Sequence, residues 1–269
     1  MTQQPVERPA RPTIAQLREV GQPPAVRGRR NSEHWVADAY LRRISPYLTR
    51  ILLRTPITAN GVTWLMVATG ASAGLALLIP GLPGAVLAAL LGQMQMLWDC
   101  CDGEVARWRQ TTSPKGVFID RVGHYTAEGL IPIALGLRAA GFPDAGWIDT
   151  PWPFIGALVA VMVLFNKALN DMVHVSRAYN GLPRLEEKAE VSAPSSSPLR
   201  RARALARFFP FHRAYHSVEL TLLALIAAIG DAIVGDLSIT RFLVAFLAVF
   251  GVVTIVGHLA AILSSSRLR

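Results

Sequence analysis

The chain has 269 residues, of which 52% are hydrophobic and only 17% charged, with a mean hydropathy of +0.35. A soluble domain carries nearer a quarter charged residues, about 25%, so a soluble fold is disfavoured and a multi-pass membrane protein is expected. The net charge of +9 collects in a tail and in loops beside apolar runs, which points to anionic lipid headgroups and away from nucleic acid.

Residues 1–32 are rich in Pro, Gln and Arg and lack apolar periodicity, so they read as a flexible, loosely attached basic tail. Residues 33–56 change pattern. Tyr40, Ile44, Tyr47, Leu48 and Ile51 recur at helical spacing, with Arg42, Arg43, Arg50 and Arg54 between them. This is the signature of an amphipathic juxtamembrane helix lying in the interface, with Pro46 marking a kink or a break. Thr58 or Asn60 is placed to cap the first apolar span.

Residues 57–269 form one membrane domain with six apolar spans, near 60–80, 84–109, 116–140, 153–179, 216–235 and 239–264. Ten arginines precede the first span, seven Lys or Arg lie in the 180–214 loop, and the turns near 81, 145 and 236 carry none. By the positive-inside rule both termini, the 109–116 connection and the long loop are cytoplasmic, which requires an even number of spans. The fold expectation is therefore an all-α integral membrane protein with six transmembrane helices and an N-terminal interfacial amphipathic helix. Cys100 and Cys101 are adjacent, a poor disulfide geometry, and read as small packing residues.

The chemistry lies between the second and third spans. Asp99-Cys-Cys-Asp102-Gly103-Glu-Val-Ala106-Arg107 is followed, eight residues on, by Gly116-Val-Phe-Ile-Asp120-Arg-Val-Gly-His124. On helices, Asp99 and Asp102 share one face, as do Asp120 and His124. A helix ending near Arg109 and another starting near Gly116 would bring three carboxylates and an imidazole to one membrane surface. Oxygen-rich clusters of this kind suit hard divalent cations.

The spacing resembles the signature of the CDP-alcohol phosphotransferases, D-x2-D-G-x2-A-R-x8-G-x3-D-x3-D. Seven of its eight fixed positions match, and His124 stands where the last Asp would be. The resemblance implies a membrane enzyme, usually a homodimer, that moves a substituted phosphoryl group from a CDP-alcohol donor to a hydroxyl acceptor in phospholipid or related phosphodiester synthesis. It implies Mg2+ or Mn2+, as two ions held by Asp99, Asp102, Asp120 and His124, with Asp120 and His124 in catalysis. Gly103, Ala106, Arg107 and Gly116 would line the nucleotide.

His124 carries three readings on sequence alone: ligand and base, a remnant of a site that binds without turnover, or a hydrogen-bond partner of Glu128 one turn along. The competing class is accordingly a non-catalytic nucleotide- or metal-binding membrane scaffold. A cation transporter would need its carboxylates near the bilayer midplane, not at a basic end. In the fourth span Asn166, Asn170, His174 and Arg177 form a polar stripe, either a wall of the reaction cavity or an interhelical contact. Lys167 and Asp171 are spaced for an i,i+4 ion pair.

Overall fold

The computed structural model describes residues 8–24, 40–183 and 214–268. Among the described residues the chain is helical, without strands. The helices are α1 (Ile14–Gly21), α2 (Arg42–Leu52), α3 (Ala59–Ala76), α4 (Gly81–Arg109), α5 (Pro114–Ala139), α6 (Trp152–Tyr179), α7 (Ser217–Val234) and α8 (Ser238–Ser264).

Local chemistry explains the boundaries. Thr58 caps α3 by accepting from Gly61 N. Pro80 precedes α4, and Ser113 with Pro114 starts α5. Gly235, at φ 88°, ends α7 in the left-handed conformation that glycine adopts without a Cβ penalty. Helices α3 to α8 coincide with the six apolar runs to within about one turn at each end. Four of them, α4, α6, α7 and α8, are long and apolar enough to cross a membrane. The other two differ for visible reasons: α3 has 18 residues rich in Gly, Ala, Ser and Thr, and α5 carries Lys115, Asp120, Arg121, Glu128 and Arg138 among its 26.

Helix α3 packs against both α4 and α5, α6 against α5 and α8, and α7 against α4. The core between them is built from Ala73, Leu77, Ile131, Leu135, Val159, Leu220 and Leu247. Large apolar side chains also point outward, among them Leu90, Phe154, Val161 and Phe242, as expected where lipid rather than water surrounds the bundle.

One N-terminal element packs differently from the sequence expectation, and a second lacks the break expected at Pro46. The basic tail is not loose throughout. Thr13 and Gln16 form a reciprocal capping box that starts α1, and α1 packs on α4 with Leu17 fully buried. The few apolar residues of this stretch, spread among Pro and Arg, gave no periodicity from which to infer that contact. The amphipathic segment is described from Tyr40, and its residues 33–39 lie outside the described residues. Helix α2 continues through Pro46 and turns its apolar side outward, with Tyr47 56% and Ile51 58% exposed. Its inner side mixes Ser45 and Thr49, buried against α4, with buried Pro46 and Leu52.

Helices α5 and α6 cross backbone against backbone. A Cβ at Gly156 would stand 2.6 Å from Gly136 Cα and 2.7 Å from the Pro132 carbonyl oxygen, both backbone atoms. Gly156→Ala should therefore destabilise the protein by about 1–3 kcal/mol, read as a lower melting temperature in detergent. An unchanged melting temperature would show that these helices part without cost.

Candidate metal centre between helices α4 and α5

The last turns of α4 carry the first half of the motif. The helix closes at Gln110, which takes a left-handed φ of 57°, and Thr111 N donates back to Ala106 O. Ser113 then caps α5 by accepting from Gly116 N at 3.1 Å. This short connection reverses the chain and sets Asp120 and His124 opposite Asp99.

The result is a compact triad. His124 Nε2 lies 3.1 Å from Asp99 Oδ1 and 3.5 Å from Asp120 Oδ1. One ligand atom from each of Asp99, Asp120 and His124 falls within 4.8 Å of the other two, and all three side chains are partly buried. Two carboxylates this close repel unless positive charge stands between them, and two oxygens with one imidazole nitrogen are a donor set that a divalent cation accepts. Asp102 lies outside this triad, beside the Thr63 hydroxyl, with Asp99 and Asp120 as its charged neighbours.

The nucleotide candidates are spread around the triad. Gly103 lies under the Arg107 guanidinium: a Cβ there would stand 2.9 Å from both Nη1 and Nη2. Arg107 Nε donates to Gly21 O at 2.7 Å. Gly116 faces the Asn60 carboxamide. Ala106 packs on the cluster of Leu52, Ala59, Val62, Cys101 and Val105. Cys100 and Cys101 are buried free thiols.

Several polar partners differ from the sequence expectation. The Glu128 carboxylate is taken by Lys167 Nζ at 2.7 Å and His216 Nδ1 at 3.3 Å, not left for His124. Lys167 and Asp171 do not form the i,i+4 pair. Asp171 pairs instead with Arg121 and with the Tyr125 hydroxyl, because α5 packs along α6 and offers opposite charge across the interface. The stripe on α6 is interhelical: Asn166 meets His258, Asn170 meets Arg267, and Arg177 donates to the carbonyls of Pro183 and Arg267.

The motif helix also holds residues that motif reading passed over. Glu104 is 1% exposed and accepts from Gln22, Ser45 and Thr49 at 2.8, 2.5 and 2.6 Å. Arg109 donates to the carbonyls of Ile57 and Thr55, tying the end of α4 to the α2–α3 connection. The signal for Glu104 was available: an acid in a helix of an apolar bundle requires partners, and the motif accounts only for Asp99 and Asp102.

Residues 56–191 match the model of the CDP-alcohol phosphatidyltransferase family, half of the chain. The chain belongs to this family. CDP-alcohol phosphatidyltransferases transfer a phosphoryl-linked group from a CDP-alcohol, and they generally depend on a divalent metal. The matched stretch holds α3 to α6 and both halves of the motif, while α1, α2, α7 and α8 lie outside it. No curated protein sequence matches the chain.

Lys167→Ala should leave the 3%-exposed Glu128 with only His216, at a cost of about 3 kcal/mol. Lys167→Met combined with Glu128→Gln should recover much of that loss. Equal melting temperatures for Lys167→Ala and wild type would contradict the pairing.

Proposed function

We propose that this protein transfers a substituted phosphoryl group from a CDP-alcohol, either CDP-diacylglycerol or a CDP-polyol, to a hydroxyl acceptor and releases CMP, in phospholipid or related phosphodiester synthesis. The observation that supports it best is the meeting of Asp99, Asp120 and His124 within 4.8 Å in a chain of this family. In this reading residues 57–269 cross the membrane six times, α2 (within 33–56) lies in the interface, residues 1–32 form a cytoplasmic N-terminal region, and both termini and the site are cytoplasmic. The outward apolar face of α2 and the loop charges support that arrangement. A homodimer is carried over from the family.

Asp99, Asp120 and His124 would hold one divalent ion, and Asp102 would share in holding a second. Ions held there would neutralise the pyrophosphate and the charge on the leaving CMP. Gly103 and Gly116 let the backbone approach the nucleotide, and Arg107 balances phosphate charge. A neutral imidazole offers one lone pair at a time. With His124 as ligand, Asp120 would take the proton from the acceptor hydroxyl; with His124 off the ion, its free nitrogen would take it. The acceptor oxygen forms the new P–O bond while the bond to CMP breaks.

Equilibrium binding tests this. Wild type should bind CMP in the presence of Mn2+ and lose that binding without metal or in Asp120→Ala. Metal-independent CMP binding, or none in folded wild type, would contradict the proposal. Imidazole suits Mn2+ better than Mg2+. His124→Asp should accordingly narrow the Mn2+-over-Mg2+ preference by about tenfold or more, measured by titration calorimetry. An unchanged ratio would remove His124 from the coordination sphere.

A further inference from the structure

Helix α1 reaches the motif from outside the family match. Its last residue, Gly21, lies directly on Glu104: a Cβ there would stand 3.1 Å from Glu104 Cγ and 3.6 Å from Glu104 Cα. Next to it Gln22, 3% exposed, donates from Nε2 to Glu104 Oε1 at 2.8 Å and to Arg42 O at 2.7 Å. Arg8 donates to Trp108 O at 3.3 Å on the same helix. This strap is thus bonded on both sides of Arg107, and Arg107 Nε itself donates to Gly21 O at 2.7 Å.

We infer that the strap formed by α1 and Gln22 is a working part of the nucleotide site, which orients Arg107 toward the donor phosphates. The inference rests on the reading of the motif as a CDP-alcohol site. An arginine side chain has many rotamers, and ordering it at the moment of binding opposes affinity. The bond from Nε to Gly21 fixes the guanidinium beforehand. It also sets the Nη1–Nη2 edge over Gly103, where both nitrogens would stand 2.9 Å from a Cβ. A guanidinium held this way offers a phosphate paired N–H donors, and Gly103 has no side chain that would displace it. Glu104 keeps the arrangement in register, because one buried carboxylate takes donors from the strap and from α2 together. Gln22 and Glu104 are positioning residues that act through Arg107.

The test uses the full chain and CMP as the probe. Gly21→Val wedges the strap away from Glu104, and Gln22→Ala removes its side-chain bonds with less disturbance. Both should weaken CMP binding, Gly21→Val by about tenfold, the scale of a hydrogen bond to a charged group. Mn2+ affinity at the Asp99–Asp120–His124 triad should not change, which separates loss of Arg107 orientation from general damage. In an Arg107→Ala background the same changes should cost no further CMP affinity. If Gly21→Val does not fold, Gln22→Ala decides. Unchanged CMP affinity in folded variants, or an equal further loss without Arg107, would overturn the inference. Failure of wild type to bind CMP would instead overturn the family-site reading, and this inference with it.

Discussion

Two carboxylates held against one imidazole govern this molecule. Asp99 and Asp120 lie 3.1 and 3.5 Å from the same His124 nitrogen, on helices that elsewhere bury alanine, valine and leucine. Charges of one sign this close interact strongly where water is scarce. Bringing them together is favoured when positive charge sits among them, as a divalent ion or a protonated imidazole supplies. The close approach of α3 to both motif helices, the capped reversal at 110–113 and the glycine crossing of α5 with α6 all serve to place these groups.

The same constraint shapes the neighbouring polar groups. One turn beyond His124, Glu128 is enclosed by Lys167 and His216. Beside it, Arg121 and Tyr125 share Asp171. On α4, Glu104 collects three donors from α1 and α2. Carboxylates in an apolar bundle are costly unless paired, and each of these three takes donors from a neighbouring helix as well as lying beside the apolar contacts. The polar groups therefore specify which helix lies against which. The donors to Glu104 come from residues before the family match, so the shared domain is braced by an N-terminal region of its own.

Helix placement was legible because long apolar runs bounded by Pro, Gly, Ser and Thr leave little freedom in where a helix starts and stops. The triad was legible because fixed spacing on two helices joined by a short turn determines which faces oppose. Pairing across helices was not. Lys167 could bond Asp171 on its own helix or Glu128 on another, and only the rotation of α6 against α5 decides. Asp102 illustrates the same limit, since spacing alone did not reveal its place beside Thr63 outside the triad. Helix α1 escaped notice because its contact rests on a capping box, one buried leucine and a glutamine, too few residues to give a period.

The most direct test of the account is pulsed electron paramagnetic resonance of the Mn2+-loaded protein. The account predicts a nitrogen coupling from the His124 imidazole on the bound Mn2+ that disappears in His124→Asp while Mn2+ remains bound. Bound Mn2+ without that coupling in wild type would contradict the claim that His124 completes a metal centre with Asp99 and Asp120.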